Sequence, residues 1–237
     1  MKQEIADNLI SLAAALYAGR RIRCVAGGSP RPEGPVLFAA NHPTTLDPIL
    51  LQKALGRPVS TLITSVAFSL PLVGRLLRGA GHLPVGQRGE GGRSLVEAAA
   101  APLRSGRSVA IFPEGQLSPE GSLAALRSGA VRIAAASGAP IVPVGIATAG
   151  HRILEIGAGF EHGYERGRFL LGGWYVLRFG PALGFALDPE DREAVKDATA
   201  SLSRAMERQV TEARALLALL EGEEWRDLSE APGLCSA

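Results

Sequence analysis

Val36-Leu37-Phe38-Ala39-Ala40-Asn41-His42-Pro43-Thr44-Thr45-Leu46-Asp47 decides how the chain is read. Five apolar residues end on an Asn-His pair, a proline breaks the run, and Asp47-Pro48 opens a helix-like stretch through Leu55. A short apolar run bounded by such punctuation reads as a buried strand. His42 is therefore expected at a strand's carboxyl end, where ligands collect in open α/β sheets.

Outward from this stretch the alternation repeats. Strand-like 61–64 precedes helix-like 67–77, and a helix at 94–103 precedes a strand at 108–112. A helix at 123–136, strands at 141–146 and 174–179, and a long helix within 189–220 follow; Val195, Leu202, Met206 and Val210 lie on one side of the last. Such alternation predicts an α/β fold in one domain, with a mostly parallel central sheet flanked by helices. Ile5, Leu9, Leu12 and Leu16 mark an N-terminal amphipathic helix. With Arg20, Arg21 and Arg23 behind it, its stripe rests either on an anionic lipid surface or on the domain core. The expected division is 1–20 for this helix, 21–220 for the domain, and 221–237 for a loosely ordered acidic tail.

The 237 residues, 46% of them hydrophobic, suffice for one substantial core. Lys+Arg of 25 against Asp+Glu of 23 leaves +2 with no block of like charge, so nucleic acid is not an expected partner. Cys24 and Cys235 offer neither a disulfide framework nor zinc spacing, which points to a reducing compartment. Glu4 and Asp7 interrupt the first apolar stretch, against a secretory signal. Residues 58–74 and 133–150 are uncharged over nearly a bilayer span. Pro71 divides the first, and Gly138, Pro140, Pro143 and Gly145 divide the second, so a peripheral protein with apolar surface is expected. His82, His151 and His162 have no metal-ligand spacing and read as surface or structural histidines. Neither a complete dinucleotide glycine pattern nor a P-loop is present.

On one regular helix His42 and Asp47 would lie about 140° apart and could not pair. If Pro43 makes a tight turn and the helix starts at Asp47, the carboxylate reaches one imidazole nitrogen and leaves the other to take a proton. Alternatively Asp47 is only a helix N-cap with Pro48 at the first helical position. A second polar turn, Phe112-Pro113-Glu114-Gly115, leaves the same predicted edge, and Gly115 permits positive φ or close approach to a ligand. It also reads as an ordinary strand-to-loop turn. Histidine, with an unperturbed pKa of about 6.5, suits a general base near neutral pH. No Gly-x-Ser-x-Gly elbow and no cysteine near a helix start supplies an enzyme nucleophile.

Together these blocks resemble the glycerolipid acyltransferase superfamily typified by 1-acylglycerol-3-phosphate acyltransferases. Asn41-His42 through Asp47 is similar to its His-x4-Asp block and Phe112 to Gly115 to its second block. Leu126-Arg127-Ser128-Gly129-Ala130 and Val142-Pro143-Val144 follow in the family's order. The resemblance implies transfer of a fatty acyl group from acyl-CoA or acyl carrier protein to the hydroxyl of a lysophospholipid or glycerol-phosphate-like acceptor. His42 would be the general base, Asp47 its orienting carboxylate, and the attack direct. Asn41, Arg88, Phe112, Pro113, Glu114, Gly115 and Arg127 are the implied substrate-binding residues, Glu114 and Gly115 helping to position the acceptor. The acyl thioester is a co-substrate; no bound cofactor or metal is implied. The expected setting is cytoplasmic, peripheral on the inner face of a membrane, with apolar segment 62–77 lining the acyl site or lying in the core.

Two departures bear on the acceptor. Gln116-Leu117 stands where the family has Thr-Arg, and Gly81 to Arg88 carries an extra residue before its arginine. Arg88 and Arg127 are the candidates to replace the missing cation. Alternative readings are a thioesterase that activates water with the same His/Asp pair, and a lipid-binding protein without turnover.

Overall fold

The computed structural model describes residues 22–86, 92–119, 122–160 and 163–222. The expected N-terminal helix, Arg88, His162 and residues 223–237 lie outside them. The described chain runs β1 (Ile22–Gly28), β2 (Leu37–Ala40), α1 (Asp47–Leu55), β3 (Ser60–Thr64), α2 (Ser65–Ser69) and α3 (Pro71–Gly79). It continues through β4 (Leu83–Val85), α4 (Gly92–Arg104), β5 (Val109–Ile111), α5 (Gly129–Ser137) and β6 (Ile141–Thr148). Last come β7 (Ile153–Phe160), β8 (Gly163–Leu170), β9 (Gly173–Phe179) and α6 (Arg192–Gly222).

The main sheet has the order β1-β9-β6-β2-β5-β3-β4. Neighbours are parallel except β6 and β9, which pair antiparallel. Central strand β2 is buried on both faces, which is why its sequence is apolar without alternation. Phe38 and Ala40 join a core with Leu50, Leu51 and Leu55 of α1. Leu37 and Ala39 face the opposite core, with Ala99 and Leu103 of α4, Ile133 of α5 and Leu202 and Met206 of α6. The α/β fold with a mostly parallel sheet is as expected. On β6 a Cβ at Gly145 would lie 2.1 Å from the Gln209 backbone, so only glycine lets α6 lie directly on the strand.

Several expected boundaries change. The helix anticipated at 67–77 is two helices, because Leu70, held before Pro71, is extended at φ −70 and ψ 121. The helix anticipated at 123–136 begins only at Gly129. Upstream, Ala124 N–H is taken by Glu114 and Arg127 N–H by the Pro113 carbonyl, so these amides are not free for a helical ladder. The last helix continues through Gly222, past the expected boundary at 220. Strand β1, which pairs with β9 along the sheet edge, and the separate antiparallel hairpin β7–β8 were not anticipated. Both uncharged stretches divide into strands and short helices. Among the described residues no helix is long and apolar enough to cross a membrane.

Candidate active site

His42 lies just beyond the carboxyl end of β2, and its side chain is 19% exposed while that of Asp47 is fully buried. Nδ1 of His42 is 2.8 Å from Asp47 Oδ2. A carboxylate only accepts hydrogen bonds, so the neutral ring that bonds to it carries its proton on Nδ1 and leaves the lone pair on Nε2. The imidazole stacks on Phe112, with centroids 4.2 Å apart and planes at 22°.

The capping alternative for Asp47 does not hold. Leu46 occupies the N-cap position, Asp47 is the first helical residue, and no side chain caps the helix. The carboxylate instead turns back to the 42–46 turn. Thr44 N–H donates to Oδ2 at 2.8 Å, and the Thr44 hydroxyl donates to Oδ1 at 2.6 Å. The Tyr175 hydroxyl of β9 adds a bond to Oδ1 at 3.0 Å. Burial first, then the negative charge of Asp47, push the Tyr175 hydroxyl well above its usual value of 10.0, so it remains a donor.

The second block supports the first through the main chain. His42 N–H donates to Ser118 Oγ at 2.7 Å and to Glu114 Oε1 at 3.2 Å. Ser118 N–H donates to the His42 carbonyl at 2.8 Å, and the Ser118 hydroxyl donates to Glu114 Oε1 at 2.5 Å. Glu114 Oε2 accepts Ala124 N–H at 2.7 Å. At 3% exposure, the Glu114 carboxylate thus faces protein donors around His42. Asn41 also turns inward: its amide donates to the Ile146 carbonyl at 2.9 Å and accepts Ile146 N–H at 2.6 Å. It extends the β2–β6 pairing where the chain leaves the sheet.

Pro113 is buried, and Phe112 is the platform under the imidazole. Gly115 has φ +66, and a Cβ there would lie 2.6 Å from Arg127 Cζ. Glycine therefore lets an exposed guanidinium settle over the 112–115 turn. His82, by contrast, is buried and accepts Thr61 N–H on Nδ1 at 3.0 Å, a structural role. Thr44, Ser118, Tyr175 and Arg168 were not singled out from sequence. Tyr175 alone had a local signal, a phenol within an apolar strand.

The sequence profile of the family described as Acyltransferase matches residues 21–147. The chain belongs to the acyltransferase family. Among acyltransferase relatives, it is 30% identical over 118 residues to the chloroplastic 1-acyl-sn-glycerol-3-phosphate acyltransferase BAT2 of Brassica napus, covering 48% of this chain and 33% of the relative. It is 28% identical over 120 residues to a probable 1-acyl-sn-glycerol-3-phosphate acyltransferase of Mycoplasma genitalium, covering 48% and 45%. The matched stretch thus spans less than half the length of these relatives. The crystal structure of the acyltransferase PlsC from Thermotoga maritima, a 1-acyl-sn-glycerophosphate (LPA) acyltransferase, superposes with a TM-score of 0.64 at 20% identity, over 90% of this chain and 80% of that one. At that identity the likeness establishes an acyltransferase fold.

Proposed function

We propose that the protein transfers a fatty acyl group from acyl-CoA or acyl carrier protein to the hydroxyl of a lysophospholipid or glycerol-phosphate-like acceptor. The observation that carries this reading is the 2.8 Å contact between His42 Nδ1 and buried Asp47, at the rim of a sheet in an acyltransferase-family chain. The acceptor hydroxyl gives its proton to Nε2 as its oxygen attacks the thioester carbonyl carbon. When the C–S bond breaks, the leaving thiolate takes that proton from the imidazolium. Asp47 keeps the ring in its tautomer and offsets the transient positive charge. No covalent enzyme intermediate is needed.

Likeness to 1-acyl-sn-glycerol-3-phosphate acyltransferases supports a phosphorylated acceptor, and exposed Arg127 beside Gly115 supports a place for its phosphate; Arg88 is a second candidate cation. Docking on an anionic lipid bilayer at the cytoplasmic face brings the acceptor to the rim. Exposed Leu70, Leu72 and Val73 next to Arg75, and Leu154 and Ile156 on β7 with Leu171, support such contact, since apolar side chains flanked by cations suit an anionic interface.

A panel of lysophosphatidate, glycerol 3-phosphate and other lysolipids, run with one radiolabelled acyl thioester, tests the reading. Labelled acyl-acceptor product is expected, and His42→Ala is expected to abolish it with thermal melting near wild type. Free fatty acid alone, whatever acceptor is offered, would establish hydrolysis instead.

A further inference from the structure

The β7–β8 hairpin hydrogen-bonds to both loops of the site through Arg168. Thr45 N–H donates to the Arg168 carbonyl at 2.9 Å, and Arg168 N–H donates to Thr45 Oγ1 at 2.8 Å. The same residue's Nη1 donates to the Ser118 carbonyl at 2.6 Å. Its Nε donates to Glu155 Oε1, across the hairpin, at 2.9 Å. One arginine therefore joins the turn after β2, which holds His42 and Asp47, to the loop after β5, which holds Glu114 and Ser118.

The loop contact matters because Ser118 holds both main-chain polar groups of His42. Where the Ser118 peptide sits determines where the imidazole begins. A guanidinium already oriented by Glu155 offers its second nitrogen in fixed geometry, and a charge-assisted bond to a carbonyl is stronger than a neutral one.

We propose that Arg168 is a positioning residue for His42, and that the β7–β8 hairpin is a clasp holding the Ser118 loop against the catalytic turn. This rests on His42 being the base. Arg168 acts through Ser118 and Thr45. The clasp therefore governs how often the ring is aligned for proton transfer, and leaves ground-state binding of either substrate unaffected.

Arg168→Met, which keeps an apolar stem and removes the donors, is expected to lower kcat about thirtyfold with both KM values within about threefold. Arg168→Lys is expected to recover little, because one ammonium lacks the fork that spans Glu155 and Ser118. Thr45→Val, at an exposed position, removes the side-chain half of the other attachment and leaves Thr45 N–H on the Arg168 carbonyl; it is expected to lower kcat by a smaller factor, which keeps the idea testable if Arg168→Met folds poorly. Amide hydrogen exchange supplies a readout independent of turnover: the amides of His42 and Ser118 are expected to exchange faster in Arg168→Met while those of β6 and β9 do not. Unchanged exchange at both amides would overturn the clasp whether or not the protein transfers acyl groups. A raised acceptor KM at wild-type kcat would also overturn it, making Arg168 a substrate-binding residue. Slower transfer in His42→Ala is not required for the exchange result, so the two ideas can fail separately.

Discussion

The Tyr175 hydroxyl donates to Asp47 Oδ1 at 3.0 Å, so the carboxylate that orients His42 is held by a strand remote in sequence. Tyr175→Phe removes one of the donors to a fully buried carboxylate and leaves those of Thr44 and His42. A loss of about tenfold in kcat/KM is expected, corresponding to about 1.4 kcal/mol. Steady-state kinetics check it, and wild-type rates would remove Tyr175 from the catalytic network.

The raised value at Tyr175 also fixes a sign for stability. Below about pH 10 the phenol is protonated in folded and unfolded chains alike, and its contribution is fully present. As pH rises past this value the unfolded chain releases the proton while the folded one retains it, so stability falls. Urea midpoints on either side of about pH 10 should drop more for wild type than for Tyr175→Phe; equal drops would show that this phenol is not the group responsible.

Glu114→Gln separates a scaffold role from direct contact with the acceptor. The carboxylate accepts from His42 N–H, Ser118 O–H and Ala124 N–H, whereas an amide must turn a donor toward one of them. A stability loss of about 2 kcal/mol and reduced kcat are expected with acceptor KM unchanged. Denaturant melts with kinetics check this; normal stability with a raised acceptor KM would assign Glu114 to the substrate.

Gly115→Ala places a methyl where Arg127 now lies and strains a φ of +66. The flexible arginine is expected to move. KM for a phosphorylated acceptor should rise about fivefold or more, since a charge-assisted contact is lost, with little change for an acceptor lacking phosphate. Equal effects on both acceptors would dissociate Arg127 from the phosphate.

Leu72, 72% exposed on α3, can be changed without disturbing the core. Leu72→Glu is expected to weaken sedimentation with anionic vesicles about tenfold or more, by exchanging apolar burial for like-charge repulsion, while thermal melting stays within about 2 °C. Undiminished vesicle binding would exclude this surface from the contact.

How far the chain could be read from its residues follows from the range of each interaction. The His42–Asp47 pairing was legible because a proline and a helix start lie within six residues. The central strands were legible because burial on both faces leaves an unbroken apolar run. Local pattern failed at 123–128, where Leu123 and Leu126 have helical spacing but Glu114 and Pro113 capture the amides of Ala124 and Arg127. It failed at β1, an edge strand whose Arg23 and paired Gly27-Gly28 interrupt the apolar pattern. Ser118, Tyr175 and Arg168 meet the site from 76, 128 and 50 residues away along their respective hydrogen bonds, and no spacing rule reaches so far.

The reversed direction of β9 has a temporal corollary. Because it runs against β6, a residue near its start, Tyr175, pairs with Thr148 at the end of β6 and so arrives at the reactive end of the sheet. During ribosomal synthesis a nascent chain that stops at Thr148 already contains His42 and Asp47, yet lacks both the phenol and the hairpin. Asp47 would then lack the Tyr175 donor, so competence for turnover should emerge only after the segment beyond Thr148 has docked.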